Sequence, residues 1–174
     1  GDCLASKRAI NPEIIGAIRG RAFSMVANLP YNAATPLMLT LAIEHANCRG
    51  MYVTVQKEVA ERLRAEPRTK AYGEVSVLLR AFFDVERVAT LPPDCFWPRP
   101  KVTSEMIALD RREVPMADDP RVLAGGVRAL FASRRKQIGR LFDERTELPE
   151  GVERTMRAEE LGVERAVEVA LRLG

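Results

Sequence analysis

The sequence predicts an α/β sheet that closes with an antiparallel strand pair and then gives way to an all-helical segment. Three observations lead there. Short apolar, β-branched runs alternate with helix-like stretches through the first part of the chain. A proline-dense loop separates the last two strand-like runs. Beyond Asp118 only the helical period remains.

The elements follow in order. Ala22-Phe23-Ser24-Met25-Val26-Ala27 is a short apolar run ended by Asn28-Leu29-Pro30, as expected for a buried strand entering a loop. Thr35-Pro36 reads as an N-cap with proline at the first helical position, and Leu37 to Ala46 continues as a largely apolar helix. Met51-Tyr52-Val53-Thr54-Val55-Gln56 is the next strand, and Lys57 to Ala65 the next helix, with Val59 and Leu63 on one face. Strand, helix, strand, helix implies parallel strands with crossover helices. Val75 to Val88 starts as a helix and finishes as a strand from Phe83. Leu91 to Pro100 holds four prolines and must be a stiff loop, after which Val102 to Leu109 is a strand. Asp119-Pro120 signals a helix start, and a domain boundary is expected near Glu113-Val114-Pro115, giving units 1–113 and 114–174.

Composition narrows the function. The 174 residues are 47% hydrophobic and 29% charged, the balance of a globular protein. No apolar run approaches the roughly 20 residues that span a bilayer, and the opening Gly1-Asp2-Cys3-Leu4-Ala5 is not a secretory signal. Cys3, Cys48 and Cys95 form no C-x-x-C, which argues for a reducing compartment; a cytoplasmic location, no membrane and a monomer are expected. With His45 as the one histidine, neither a metal hydrolase nor a Ser-His-Asp triad is expected, and no metal is assigned. The net charge of +3 is mild but uneven. Arg121 to Arg145 carries seven basic and two acidic residues, whereas Thr146 to Gly174 carries seven acidic and four basic. Such a cluster suits an anionic partner or a solvated helix face.

Asn28-Leu29-Pro30-Tyr31 is the most informative segment. It stands directly after a buried strand, where open α/β sheets bind ligands. Its parts suit a planar, amino-bearing base: an amide that accepts and donates, a proline carbonyl left free in a rigid turn, and an aromatic face. An ordinary strand-to-helix turn with an aromatic plug is the plain alternative. Glu58 and Glu61 read as a solvated face paired with Arg62 and Arg64, and His45 as a helix cap.

Asn28-Leu29-Pro30-Tyr31-Asn32, Gln56-Lys57-Glu58-Val59-Ala60-Glu61-Arg62-Leu63 and Lys70-Ala71-Tyr72-Gly73 occur in that order. Phe96-Trp97-Pro98-Arg99-Pro100-Lys101-Val102-Thr103-Ser104 and Phe131-Ala132-Ser133-Arg134-Arg135-Lys136 follow. Together they resemble the family of small-subunit ribosomal RNA adenine dimethylases, and Met156 to Leu161 fits as well. The resemblance implies a Rossmann-like, S-adenosylmethionine-dependent catalytic domain that dimethylates N6 of two adjacent adenines in a hairpin near the RNA 3′ end. The partner it implies is the immature small ribosomal subunit. Asn28 and the Pro30 carbonyl would accept the N6 hydrogens, Asn28 and Leu29 would also touch cofactor, and Asp2 would hold the cofactor's adenine. Tyr31 and Phe96 would stack on the flipped base, though Phe96 also suits a core cap. Arg134, Arg135, Lys136 and Arg140 would face RNA phosphates, with Arg99 and Lys101 at the active-site mouth. Trp97 and Thr103 depart from the family's commoner choices.

The resemblance also implies a Gly-rich cofactor cradle, and Gly125-Gly126 does not supply it, being in a helical, basic stretch. The chain is therefore expected to be the C-terminal portion of such an enzyme, binding cofactor weakly or not at all. The alternative is a non-catalytic RNA-binding or subunit-assembly module. A DNA adenine methyltransferase is disfavoured, since an acidic residue usually stands where Asn28 does.

Overall fold

The structure, a computed structural model, describes residues 4–6, 9–30 and 32–174. A two-stranded antiparallel pair, β1 (Leu4–Ser6) and β2 (Ala9–Ile10), leads into α1 (Pro12–Ile18). The main sheet has the order β3 (Phe23–Asn28), β4 (Cys48–Gln56), β6 (Ser104–Arg111), β5 (Phe83–Leu91). β3 and β4 are parallel, and β6 runs antiparallel to both β4 and β5. The α/β expectation holds, with one refinement: the final strand inserts between two earlier ones instead of adding at the edge.

Alternation explains which face is covered. Met51, Val53 and Val55 of β4 and Ile107 and Leu109 of β6 are at most 1% exposed. Helices α2 (Ala34–Glu44), α3 (Lys57–Leu63) and α4 (Glu74–Phe82) pack on that face. The opposite face leaves Val26, Tyr52 and Met106 exposed.

α2 begins at Ala34, ahead of the expected Thr35 cap. The Pro30 carbonyl accepts the N–H groups of Ala33 and Ala34 at 3.0 and 3.1 Å, so the proline turn itself opens the helix. At the other end of α2 the Arg111 guanidinium donates to the carbonyls of Leu41, Ala42 and His45, and lies over the Phe83 ring at 4.5 Å. Burial lowers the pKa of Arg111 from its ordinary value. His45 occupies the cap position, but the cation that satisfies the helix end comes from β6.

Two antiparallel helices, α5 (Pro120–Ala132) and α6 (Val163–Leu171), pack together and against α4, and α5 also touches α2. Asp119 caps α5, its carboxylate accepting from the N–H groups of Arg121 and Val122. Gly126 is where the two helices meet: a Cβ there would sit 1.9 Å from the Ala170 carbonyl. That close crossing, not an anion cradle, accounts for this glycine. The buried residues of α5 and α6 belong to the same apolar cluster as those of α2 to α4. Among the described residues no helix is long and apolar enough to cross a membrane.

Candidate active site and RNA-facing surface

β3 ends at Asn28 because Pro30 has no N–H to continue the ladder. Leu29, 4% exposed, fixes the turn: its side chain enters the core and its N–H donates to the Thr54 carbonyl at 3.1 Å. The side chains on either side, Asn28 and Pro30, are exposed. One expectation is corrected here. The Pro30 carbonyl is not free, because both of its lone pairs are taken by the first N–H groups leading into α2. Among the described residues nothing donates to the carbonyl of Leu29. Asp2 and Tyr31 lie outside the described residues.

The facing wall is the proline loop. A short 3₁₀ turn at Pro93–Cys95 is closed by the N–H groups of Cys95 and Phe96, which donate to the carbonyls of Pro92 and Pro93. Arg99 pairs with Asp94 at 2.9 Å, and the Thr103 carbonyl accepts from the Lys57 N–H at 3.0 Å. The loop is thus tied at three points. It brings Phe96, half-buried, opposite the strand end, and the two walls enclose a cleft of about 330 Å³ lined by Asn28, Leu29, Pro30, Phe96, Trp97 and Pro98. An exposed amide facing aromatic and proline surfaces can hold a flat heterocycle and accept from its amino group. Lys101, next in the chain to the lining residue Pro100, is exposed.

Asn28 and Leu29 also border a second groove of about 540 Å³ on the other side of the strand end, lined by Ile10, Ile14, Phe23, Met25 and Val26 among others. Ser24 and Asn28 are its polar side chains. Apolar walls suit a nucleoside ring, but the amino-acid half of a sulfonium cofactor would find no charged partner there. The described residues therefore do not by themselves fit S-adenosylmethionine. Among them, no group of three or more His, Cys, Asp or Glu could hold a metal ion.

The basic run divides sharply. Arg135, Lys136 and Arg140 are exposed. Arg134 is not a free cation: its guanidinium pairs with Glu159 at 2.7 Å and donates to the carbonyls of Thr69 and Lys70. It latches the segment after α3 to the helical part. The Arg68 N–H adds a bond to the Glu159 carbonyl at 2.7 Å, and Tyr72, fully buried, meets Phe131 edge-on. Burial holds the Tyr72 phenol above its ordinary pKa. A cleft of about 530 Å³ is lined by Ser133, Arg135, Lys136 and Arg157 together with the latch residues Arg134 and Glu159. Arg157 was not singled out from the sequence, although the Met156 to Leu161 motif contains it. Glu58 pairs with Arg62 as expected, whereas Arg64 turns to Glu105 of β6 at 2.6 Å, and Glu61 meets Lys57 instead.

The family model described as ribosomal RNA adenine dimethylase matches residues 12–173. The chain belongs to this family. It is 42% identical over 132 residues to Ribosomal RNA small subunit methyltransferase A of Geobacillus thermodenitrificans (strain NG80-2), covering 75% of this chain and 44% of that protein. Against the protein of the same name from Bifidobacterium longum (strain DJO10A) the identity is 42% over 122 residues, 70% of this chain and 39% of the relative. The chain thus spans less than half the length of these curated relatives. Among solved structures, a dimethyladenosine transferase from Plasmodium falciparum superposes with a TM-score of 0.62 at 26% identity, over 67% of this chain and 42% of that one. A structure titled 23S rRNA methyltransferase ErmE covers 88% of this chain at 21% identity and a TM-score of 0.62, a likeness of fold. The architecture is the Rossmann-like one of the family, followed by helices.

Proposed function

We propose that the chain carries the substrate half of an RNA adenine N6-dimethyltransferase, acting on small-subunit ribosomal RNA with S-adenosylmethionine as methyl donor. The observation behind this reading is the cleft in which Asn28 and Phe96, distant in sequence, face one another. An adenine amino group is a poor nucleophile because its lone pair is delocalised into the ring. Accepting its hydrogens favours a tetrahedral nitrogen with the pair available. The Asn28 side-chain oxygen is one acceptor. With the Pro30 carbonyl committed to α2, the Leu29 carbonyl is the second. Phe96 and Tyr31 would hold the base flipped out of the RNA, and Asp2 would meet the cofactor. The exposed Arg135, Lys136 and Arg140 suit a phosphate-tracking helical unit, 114–174, working beside a catalytic unit, 1–113, and such a unit would also serve in subunit assembly. A cytoplasmic monomer fits this role.

The test has two arms. A chain extended to the length of the relatives, given labelled S-adenosylmethionine and unmethylated small subunits, should yield N6,N6-dimethyladenosine by mass spectrometry of digested RNA. The 174-residue chain should show no micromolar cofactor binding by calorimetry. Dimethyladenosine missing from the first arm refutes the enzymatic reading and leaves the assembly module.

A further inference from the structure

Trp97 is 97% exposed, although tryptophan is among the side chains that gain most from burial. Among the described residues nothing covers it, so the place from which it projects is set by the backbone beneath. That backbone is stiff. Pro92, Pro93, Pro98 and Pro100 restrict it, the 3₁₀ turn closes one side, and the Arg99–Asp94 pair joins residues on either side of Trp97 in the chain. The ring is therefore presented to solvent from a stiff stretch of backbone, with only its two side-chain torsions left to settle, at the border of the cleft that Asn28 and Phe96 line. A rigid aromatic loses little conformational freedom when a flat partner settles on it. With Arg99 offset by Asp94, the exposed Lys101 leaves the surroundings net positive, which favours a phosphate-bearing partner over an apolar protein surface.

We propose that Trp97 is a stacking platform for a nucleobase of the RNA, the one next to the base that enters the cleft. This rests on the reading of the chain as an RNA adenine methyltransferase, and assigns it a further substrate-positioning residue. Phe96 and Trp97 then divide the work, one facing into the cleft and the other holding the flanking base outside it. Because a base presents a π-face whatever its identity, the platform fixes position more than sequence.

Trp97 is the one tryptophan of the chain, so its fluorescence reports on this place alone. The 174-residue chain is titrated with an end-labelled RNA hairpin carrying two adjacent adenines, reading Trp97 emission and the label's anisotropy together. Emission should be quenched with the same midpoint as the anisotropy. Trp97→Phe should bind within about threefold of the parent, while Trp97→Ala and Trp97→Leu should bind roughly 5- to 100-fold more weakly. The salt dependence should stay unchanged, since no phosphate contact is lost. Binding with unaltered emission, or Leu serving as well as Phe, overturns the platform and leaves the methyltransferase reading intact. No hairpin binding at all overturns both.

Discussion

The strand-end cleft and the basic run after α5 carry the two strongest motifs of the chain, and they treat their side chains differently. At the cleft, the backbone does the holding: Leu29 N–H, the Pro30 carbonyl and the Cys95 and Phe96 N–H groups fix the walls, leaving the Asn28 amide and the Trp97 ring exposed. In the basic run, a motif side chain does the holding. Arg134 is spent on Glu159 and two carbonyls, while its neighbours Arg135 and Lys136 stay in solvent. Adjacent residues of one motif thus hold opposite roles, and a cluster of like charges is not a cluster of equivalent contacts.

The largest expected effect lies at the cleft. In a chain extended to the length of the relatives, Asn28→Ala should slow methyl transfer by roughly 10²-fold or more, the usual cost of losing one oriented polar group. RNA affinity measured on the same variant should hardly change, because phosphate contacts dominate it. Near-normal turnover in a folded variant would reduce Asn28 to a turn residue and remove the contrast between the regions.

The latch should show itself in stability. Arg134→Ala leaves a half-buried carboxylate and two carbonyls without their donor, which should lower unfolding free energy by about 1–3 kcal/mol. Urea unfolding measures this, and hydrogen exchange should quicken first at residues 68–72. If stability is unmoved and only RNA binding suffers, Arg134 is a phosphate contact after all.

The smallest stability effect should come from its neighbours. Arg135→Ala and Lys136→Ala should each stay within about 0.5 kcal/mol of the parent in unfolding. Each should instead reduce the slope of log affinity against log salt by roughly 0.7 to 0.9, the release of about one counterion per contact. Equal salt slopes for both variants and the parent would make this surface a solvated helix face.

Much of the fold was legible because the signals are local. The β-branched run from Met51 to Gln56 marks a strand, Asp119-Pro120 marks the start of α5, where the Asp119 carboxylate accepts from two N–H groups, and proline density marks the stiff loop. The α2 start was misplaced, since the decisive group is a carbonyl contributed by Pro30 and carries no side-chain signature. Within the site, the pairing of Asn28 with Phe96 was implied by the family resemblance. The Arg64–Glu105 and Arg111–helix contacts had no such signal, because they join positions far apart in the chain.

By itself the sequence determined the alternation of elements, the family and the residues around which the strand-end cleft is built, since period, proline placement and motif order are properties of the chain read in line. The tertiary structure alone decided which of those groups remain available. Whether an arginine meets a carboxylate or water, and whether a carbonyl is taken or open, depends on what the fold brings within about 3 Å of it. That distance is set by the packing of elements, and the order of residues along the chain does not contain it.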